Sequence, residues 1–160
     1  MKILVLYYSK GGNTRSLAEA IGEGAGQVEG VEVVLRHTRD VNKDDFVNAQ
    51  GLIIGSPVYF GTMAAQLKQV LDDFVGVRRK MENKVGAAFT TYGDPTGGKE
   101  TTMLSIIQAM LIYGMIIVGD PLSATGHYGT ACVGAPDGAA QENGRKLGQR
   151  VAELVKQLNS

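Results

Sequence analysis

Residues 1–25, MKILVLYYSKGGNTRSLAEAIGEGA, constrain the fold more tightly than any other stretch of the chain. The apolar run Ile3-Leu4-Val5-Leu6-Tyr7-Tyr8 is short and rich in aliphatic and aromatic residues, as a strand buried on both faces should be. Ser9-Lys10-Gly11-Gly12-Asn13-Thr14 follows, and its glycines permit a tight turn and close approach of the backbone to a ligand. Leu17, Ala18, Ile21 and Ala25 then recur at helical spacing, so a helix starts near Asn13 or Thr14. Together these pieces form an anion cradle, in which loop N–H groups and the positive end of a helix dipole converge on one phosphate. The plainer reading is a βα turn capped by Asn13 or Thr14 that holds nothing.

The loop also limits which phosphate it can hold. It lacks the Gly-x-x-x-x-Gly-Lys-Ser/Thr pattern of nucleoside triphosphate sites. It lacks the Gly-x-Gly-x-x-Gly dinucleotide fingerprint as well. The chain has 160 residues, the size of one domain with a substantial core. Its 16 basic and 16 acidic residues balance, so no charge excess points to nucleic acid or to an anionic membrane. A lone cysteine rules out an internal disulfide and any iron–sulfur cluster held only by this chain's cysteines. The opening apolar run is too short for a signal peptide, and no segment reaches transmembrane length, so a cytoplasmic location is expected.

Further along, Val31–Leu35 reads as a second strand and Arg36 to Asp45 as polar connection. Leu52-Ile53-Ile54-Gly55 is a third strand, followed by Ser56-Pro57-Val58-Tyr59-Phe60-Gly61-Thr62. Ala64, Leu67, Leu71 and Phe74 mark the next helix, with Thr62 as its expected N-cap. Lys84–Thr91 reads as the fourth strand, leading into Tyr92-Gly93-Asp94-Pro95-Thr96-Gly97-Gly98. A helix from about Glu100 to Tyr113 precedes a fifth strand, Met115–Val118. Residues 119–139 are rich in loop signals, and Leu147, Val151, Leu154, Val155 and Leu158 mark the last helix.

Alternating strands and helices imply a parallel sheet covered on both faces. The pattern fits a single α/β domain over residues 1–160, a flavodoxin-like doubly wound sheet of five strands in the order 2-1-3-4-5. In that topology the Gly- and hydroxyl-rich loops after strands 1, 3 and 4 meet at one edge.

Four pieces carry a family resemblance: Tyr8-Ser9 with Gly12-Asn13-Thr14, Gly55 to Gln66 (GSPVYFGTMAAQ), Thr91 to Glu100, and Tyr113-Gly114-Met115. The chain resembles flavodoxin-family flavoproteins, closest to the NAD(P)H:quinone reductases named after tryptophan-repressor-binding protein. The resemblance implies bound FMN. Its phosphate would take side-chain hydrogen bonds from Ser9, Asn13 and Thr14, and backbone N–H groups from Lys10, Gly11, Gly12, Asn13 and Thr14. Pro57, Val58, Tyr59, Phe60 and Gly61 would run along the isoalloxazine edge. Thr91, Tyr92, Gly93 and Asp94 would hold its other side, with Gly97 and Gly98 allowing the backbone to turn close by. No catalytic side chain is implied, since flavin N5 accepts the hydride. Gly11 departs from the threonine common in flavodoxins, and Tyr113 from the histidine common in the quinone reductases.

Several conspicuous residues have plainer readings. Tyr59, Phe60 and Tyr92 also suit ordinary loop packing. Cys132 reads as a small buried hydrophobe, and Asp94 and Asp120 as turn formers. His37 and His127 lack ligand-spaced partners, so no metal site is expected, and Arg78-Arg79-Lys80 is too short for nucleic-acid recognition. Between Met103 and Ile112 only Ser105 and Gln108 are polar, and an apolar perimeter of that kind points to a homo-oligomeric interface.

Two functions of different kind follow. The first is an FMN enzyme carrying electrons from NADH or NADPH to a quinone or another small acceptor, in ping-pong fashion. The second is a flavodoxin-type single-electron carrier that docks on redox partner proteins. Carriers are commonly acidic to steer toward basic partners, and the balanced charge argues against that role. A third reading is a regulatory protein that keeps FMN without turnover.

Overall fold

A computed structural model describes all 160 residues. Its strands are β1 (Lys2–Tyr7), β2 (Glu32–His37), β3 (Gly51–Pro57), β4 (Val85–Tyr92), β5 (Ile116–Ile117) and β6 (Gly129–Val133). Its helices are α1 (Asn13–Gly26), α2 (Lys43–Asn48), α3 (Ala65–Asp73), α4 (Lys99–Ile112) and α5 (Gly138–Leu158), with a 3-10 segment at Val75–Met81. All strands pair in parallel, and the order is β2-β1-β3-β4-β5, with β6 also on β4.

The fifth position of the sheet is shared. β5 pairs with Val85–Gly86 at the start of β4, and β6 pairs with Ala88–Tyr92 at its end. The expected strand Met115–Val118 therefore shrinks to Ile116–Ile117, and the chain loops out before returning as Gly129–Val133. Glycines around β6 obscured it as a strand, although Thr130-Ala131-Cys132-Val133 carries suitable side chains.

Side-chain alternation along β1 divides the interior in two. Ile3, Val5 and Tyr7 point toward α1 and α5, where Leu17, Ile21, Leu147, Val151 and Val155 complete one core. Leu4 and Leu6 point the other way, toward Phe46, Leu67, Met103, Ile106 and Met110 on α2, α3 and α4. Each fully buried side chain of this size contributes about 1.5–3 kcal/mol of transfer free energy, so the double-sided strand is the main support of the loop that follows it.

α1 and α5 approach at backbone distance. A Cβ on Gly148 would lie 2.0 Å from the Ile21 carbonyl oxygen, and one on Gly24 would lie 2.0 Å from the Arg145 carbonyl oxygen. Only glycine fits there. This contact sets the depth of α1 against the sheet, and with it the position of the helix N-terminus.

Local chemistry moved several boundaries. α2 begins within the expected connection because Asn42 and Asp45 form a reciprocal capping box, at 3.0 and 3.1 Å. Lys84 sits just before β4, where its ammonium group donates to the carbonyls of Phe46, Val47 and Ala49 at 3.0, 2.6 and 2.5 Å. These bonds tie the end of α2 to the start of β4. Thr62 does not cap α3, which begins at Ala65 with Ala64 in the cap position.

The close contact sets two effects against each other in Gly148→Ala. Alanine favours a helix by about 1 kcal/mol over glycine, whereas forced overpacking costs about 1–3 kcal/mol. Because the obstacle is backbone, Gly148→Ala is expected to lower the stability measured by urea unfolding. Gly22→Ala meets the flexible tip of Leu35 instead and is expected to lose less.

Candidate functional site

Three loops meet beyond the carboxyl ends of β1, β3 and β4 around a cavity of about 170 Å³. Ser9, Lys10, Gly11, Asn13, Thr14, Pro57, Val58, Tyr59, Thr91, Tyr92 and Gly93 line it, all of them expected site residues. Gly12, Phe60, Gly61, Asp94 and Gly97 do not line the cavity; they lie in the turns around it. Gly134, just past β6, lines the cavity unannounced, and its N–H donates to the Tyr92 carbonyl at 2.8 Å.

At the first loop the helix cap differs from both side-chain expectations. Gly12 is the N-cap of α1, with φ 97°, and neither Asn13 nor Thr14 caps the helix. The Gly12 N–H is used inside the loop, donating to Ser9 Oγ at 3.1 Å. The first amide of the helix ladder to find a carbonyl is that of Ser16, bonded to Gly12 at 2.9 Å. The amides of Lys10, Gly11, Asn13, Thr14 and Arg15 therefore have no acceptor in the chain. Unsatisfied donors at a helix N-terminus, with the dipole behind them, form a site for an anion. The Ser9 hydroxyl keeps its own proton to donate as well. Thr14 faces inward, its Oγ1 2.8 Å from Thr91 Oγ1, so it joins the first loop to the end of β4.

The second loop turns sharply at Phe60 (φ 50°) and Gly61 (φ 75°), while Tyr59 and Thr62 exchange N–H···O bonds of 3.1 Å. Two successive left-handed residues are the hairpin turn normally made by Asn-Gly or Gly-Gly. Phenylalanine in that conformation costs about 1–3 kcal/mol, and its ring is fully exposed at the tip. The Val58 and Tyr59 amides are engaged by Thr91 and Thr62, which leaves those of Phe60 and Gly61 open. Burial, then neighbouring Tyr8, raises the Tyr59 phenol, so this hydroxyl is a neutral donor.

The third loop is fixed to the second. Thr101 Oγ1 donates to the Gly61 carbonyl at 2.6 Å and lies 3.0 Å from that of Gly98. Sequence reasoning overlooked Thr101, since a threonine inside a helix carries no signal of its own. Asp94 accepts the Thr96 amide and hydroxyl at 2.8 and 2.7 Å, which hold its carboxyl below the usual range and make it the turn former expected. Asp120 is also a turn former, accepting from Thr125 and from the His127 amide within its own loop.

A second cavity, of about 280 Å³, shares Tyr92 with the first and is lined by Lys99, His127 and Tyr128 among others. His37 lies apart from it, with Nε2 3.4 Å from the Ser9 carbonyl and Nδ1 accepting the Arg39 N–H at 3.2 Å. Tyr113 is remote from the loops, since the adjoining Gly114 bonds to Asn83 at the amino end of β4. It is buried and donates to the Leu71 carbonyl at 2.6 Å, with burial, then Asp72, pushing its pKa to about 12. A structural hydroxyl thus stands where the quinone reductases commonly have a histidine.

The sheet order, the switch point between β1 and β3 and the loop-borne cradle define a flavodoxin-like α/β protein. Residues 1–130 match the family described as NADPH-dependent FMN reductase, and the chain belongs to it. It is 35% identical over 160 residues to a flavodoxin of Aquifex aeolicus, covering 96% of this chain and 86% of that one. It is 33% identical over 189 residues to an NAD(P)H dehydrogenase (quinone) of Archaeoglobus fulgidus, covering 98% of each. Among solved structures, a WrbA-like flavodoxin from Agrobacterium tumefaciens superposes with TM-score 0.85 at 24% identity, over 98% of both chains, a likeness of fold. No helix is long and apolar enough to cross a membrane.

Cys132 is buried on β6, opposite Thr91 of β4. Its pKa is pushed up to about 11 by burial, then by Asp137. The neutral thiol thus supports the fold below the ordinary thiol range, and that contribution is lost as pH rises through about 11. At pH 8 the native protein is expected to react with a disulfide reagent at least a hundredfold more slowly than the urea-unfolded chain; equal rates would show an accessible thiolate.

Proposed function

We propose that the protein is an FMN-dependent oxidoreductase that takes electrons from NADPH or NADH and passes them to a quinone or similar small acceptor. The carrying observation is the set of unpartnered amides at Lys10, Gly11, Asn13, Thr14 and Arg15, beside the Ser9 hydroxyl. These donors fit the phosphate of FMN. Each charge-assisted bond contributes about 1.5–3 kcal/mol, and the helix end adds about 0.3–1 kcal/mol, enough to hold a dianion without an arginine clamp.

When bound, the flavin supplies the hydride-accepting centre. The chain's part is to bind and orient. The Phe60 and Gly61 amides, left open by the turn, would donate to the isoalloxazine edge, and Thr101 holds that turn in place. Tyr59 and Tyr92 would flank the ring from opposite loops. The cavity lined by Lys99, His127 and Tyr128 adjoins Tyr92, which supports it as a place for the acceptor. The family's description as NADPH-dependent and the quinone-dehydrogenase relative support the donor and acceptor classes.

The carrier reading retains one specific support, the flavodoxin relative that matches 96% of the chain. Balanced charge favours the enzyme. Homo-oligomerisation is part of the same proposal: Leu111 and Ile112 of α4 are exposed, and Ile112 shares a surface cavity with exposed Val75, whereas Met103, Ile106 and Met110 fill the core. A strictly monomeric mass by light scattering across a wide concentration range would remove the oligomer.

Asn13→Ala with Thr14→Val is expected to weaken FMN binding at least tenfold in a fluorescence titration; unchanged affinity would place the phosphate elsewhere. Anaerobic stopped flow tests the activity. NADPH or NADH added to the FMN-loaded protein should bleach the visible flavin absorbance within seconds, and benzoquinone should restore it. Failure of both nucleotides, with reduction by dithionite proceeding in one-electron steps, would favour the carrier.

A further inference from the structure

Beside the cradle, the carboxyl end of β2 and one side of α3 border a shallow, wide-open depression of about 510 Å³. Tyr8 and His37 form an aromatic corner there, with ring centroids 5.5 Å apart. The Gln66 side chain has no hydrogen-bond partner in the chain, and Gln69 gives one N–H to Asp73 at 2.8 Å, which leaves its amide oxygen open. The Arg39 guanidinium has only its neighbour Asp40 as a partner, at 3.5 Å, and most of the side chain faces solvent.

Flat aromatic faces and paired amide donors and acceptors are what a purine base recognises, and a guanidinium fork suits a phosphate. The acids near the depression are Asp40, beside Arg39, and Asp73, at the last residue of α3 and already engaged by Gln69. Tyr8 also meets Tyr59 edge-on at 6.3 Å, and Tyr59 lines the cradle cavity. The depression and the cradle therefore adjoin across one pair of rings.

We propose that this depression receives the adenosine 2′-phosphate end of the reducing dinucleotide, with adenine against Tyr8, His37 and the Gln66 and Gln69 amides, and the 2′-phosphate on Arg39. A dinucleotide anchored there extends past Tyr59 toward the flavin edge, so NADPH is the preferred donor. The inference rests on the reading of the protein as a nicotinamide-dependent reductase.

The test is calorimetric titration of the FMN-loaded protein with adenosine 2′,5′-bisphosphate and, separately, adenosine 5′-monophosphate. The bisphosphate should bind at least fivefold more tightly. Arg39→Gln should erase that difference, and Gln69→Leu should weaken both ligands at least threefold. No binding of either nucleotide, or affinities indifferent to both substitutions, would overturn the site. Steady-state kinetics separate this failure from failure of the reductase reading. NADPH oxidation with a KM unchanged by Arg39→Gln removes the depression alone. Arg39-dependent binding without flavin reduction removes the reductase activity and leaves a nucleotide site.

Discussion

The unpaired N–H groups at the start of α1 are the constraint on which the rest of the site depends. Five amides around Gly12 lack acceptors in the chain, and four of their residues, Lys10, Gly11, Asn13 and Thr14, line the cavity, where a bound anion can satisfy them. Their direction is set far from the loop. β1 is held in two cores at once, and α1 is drawn against α5 until Gly24 and Gly148 meet backbone. A helix free to ride outward by the width of one methyl group would carry its N-terminus away from β3 and β4. Close packing in the body of the domain is thus converted into placement of donors at its edge.

The three loops are fixed to one another by short polar links. Thr14 meets Thr91, the Val58 amide bonds to Thr91, Thr101 joins Gly61 to Gly98, and Gly134 reaches Tyr92. Loops on separate strands then behave as one surface, which is the requirement for binding a rigid flat ring without reorganisation. The strained Phe60 belongs to the same design. The surrounding bonds hold a left-handed residue at the tip of the second loop, where it displays an aromatic ring to solvent. Strain of this kind is concentrated at ligand-contact turns.

Much of this was legible in the residues. The apolar run Ile3–Tyr8 and the glycine loop after it set the fold and placed the cradle, because burial on both faces and a helix start leave few alternatives. The loops Pro57–Gly61 and Thr91–Gly93 were assigned through their resemblance to flavoproteins, and the sheet brings them to the cradle edge. What escaped notice depends on tertiary contact. α2 is one short helix secured by Asn42 and Asp45, β6 is a strand amid glycines, and Thr101 matters through partners distant in sequence. Tyr113, noted in the sequence only as a departure from the family's histidine, proves to be structural, its hydroxyl serving the carbonyl of Leu71. Gly12 replaced Asn13 and Thr14 as the helix cap because the left-handed turn needs its conformational freedom.

Whether the α1 cradle grips a phosphate is decided by comparing FMN with riboflavin, which lacks that group. Fluorescence titration of the apoprotein should give FMN an affinity at least a hundredfold higher, the equivalent of about 2.7 kcal/mol and within reach of two charge-assisted hydrogen bonds. Equal affinities for the two flavins would contradict the account, since the open amides of Lys10 to Arg15 would then have no part in binding the flavin.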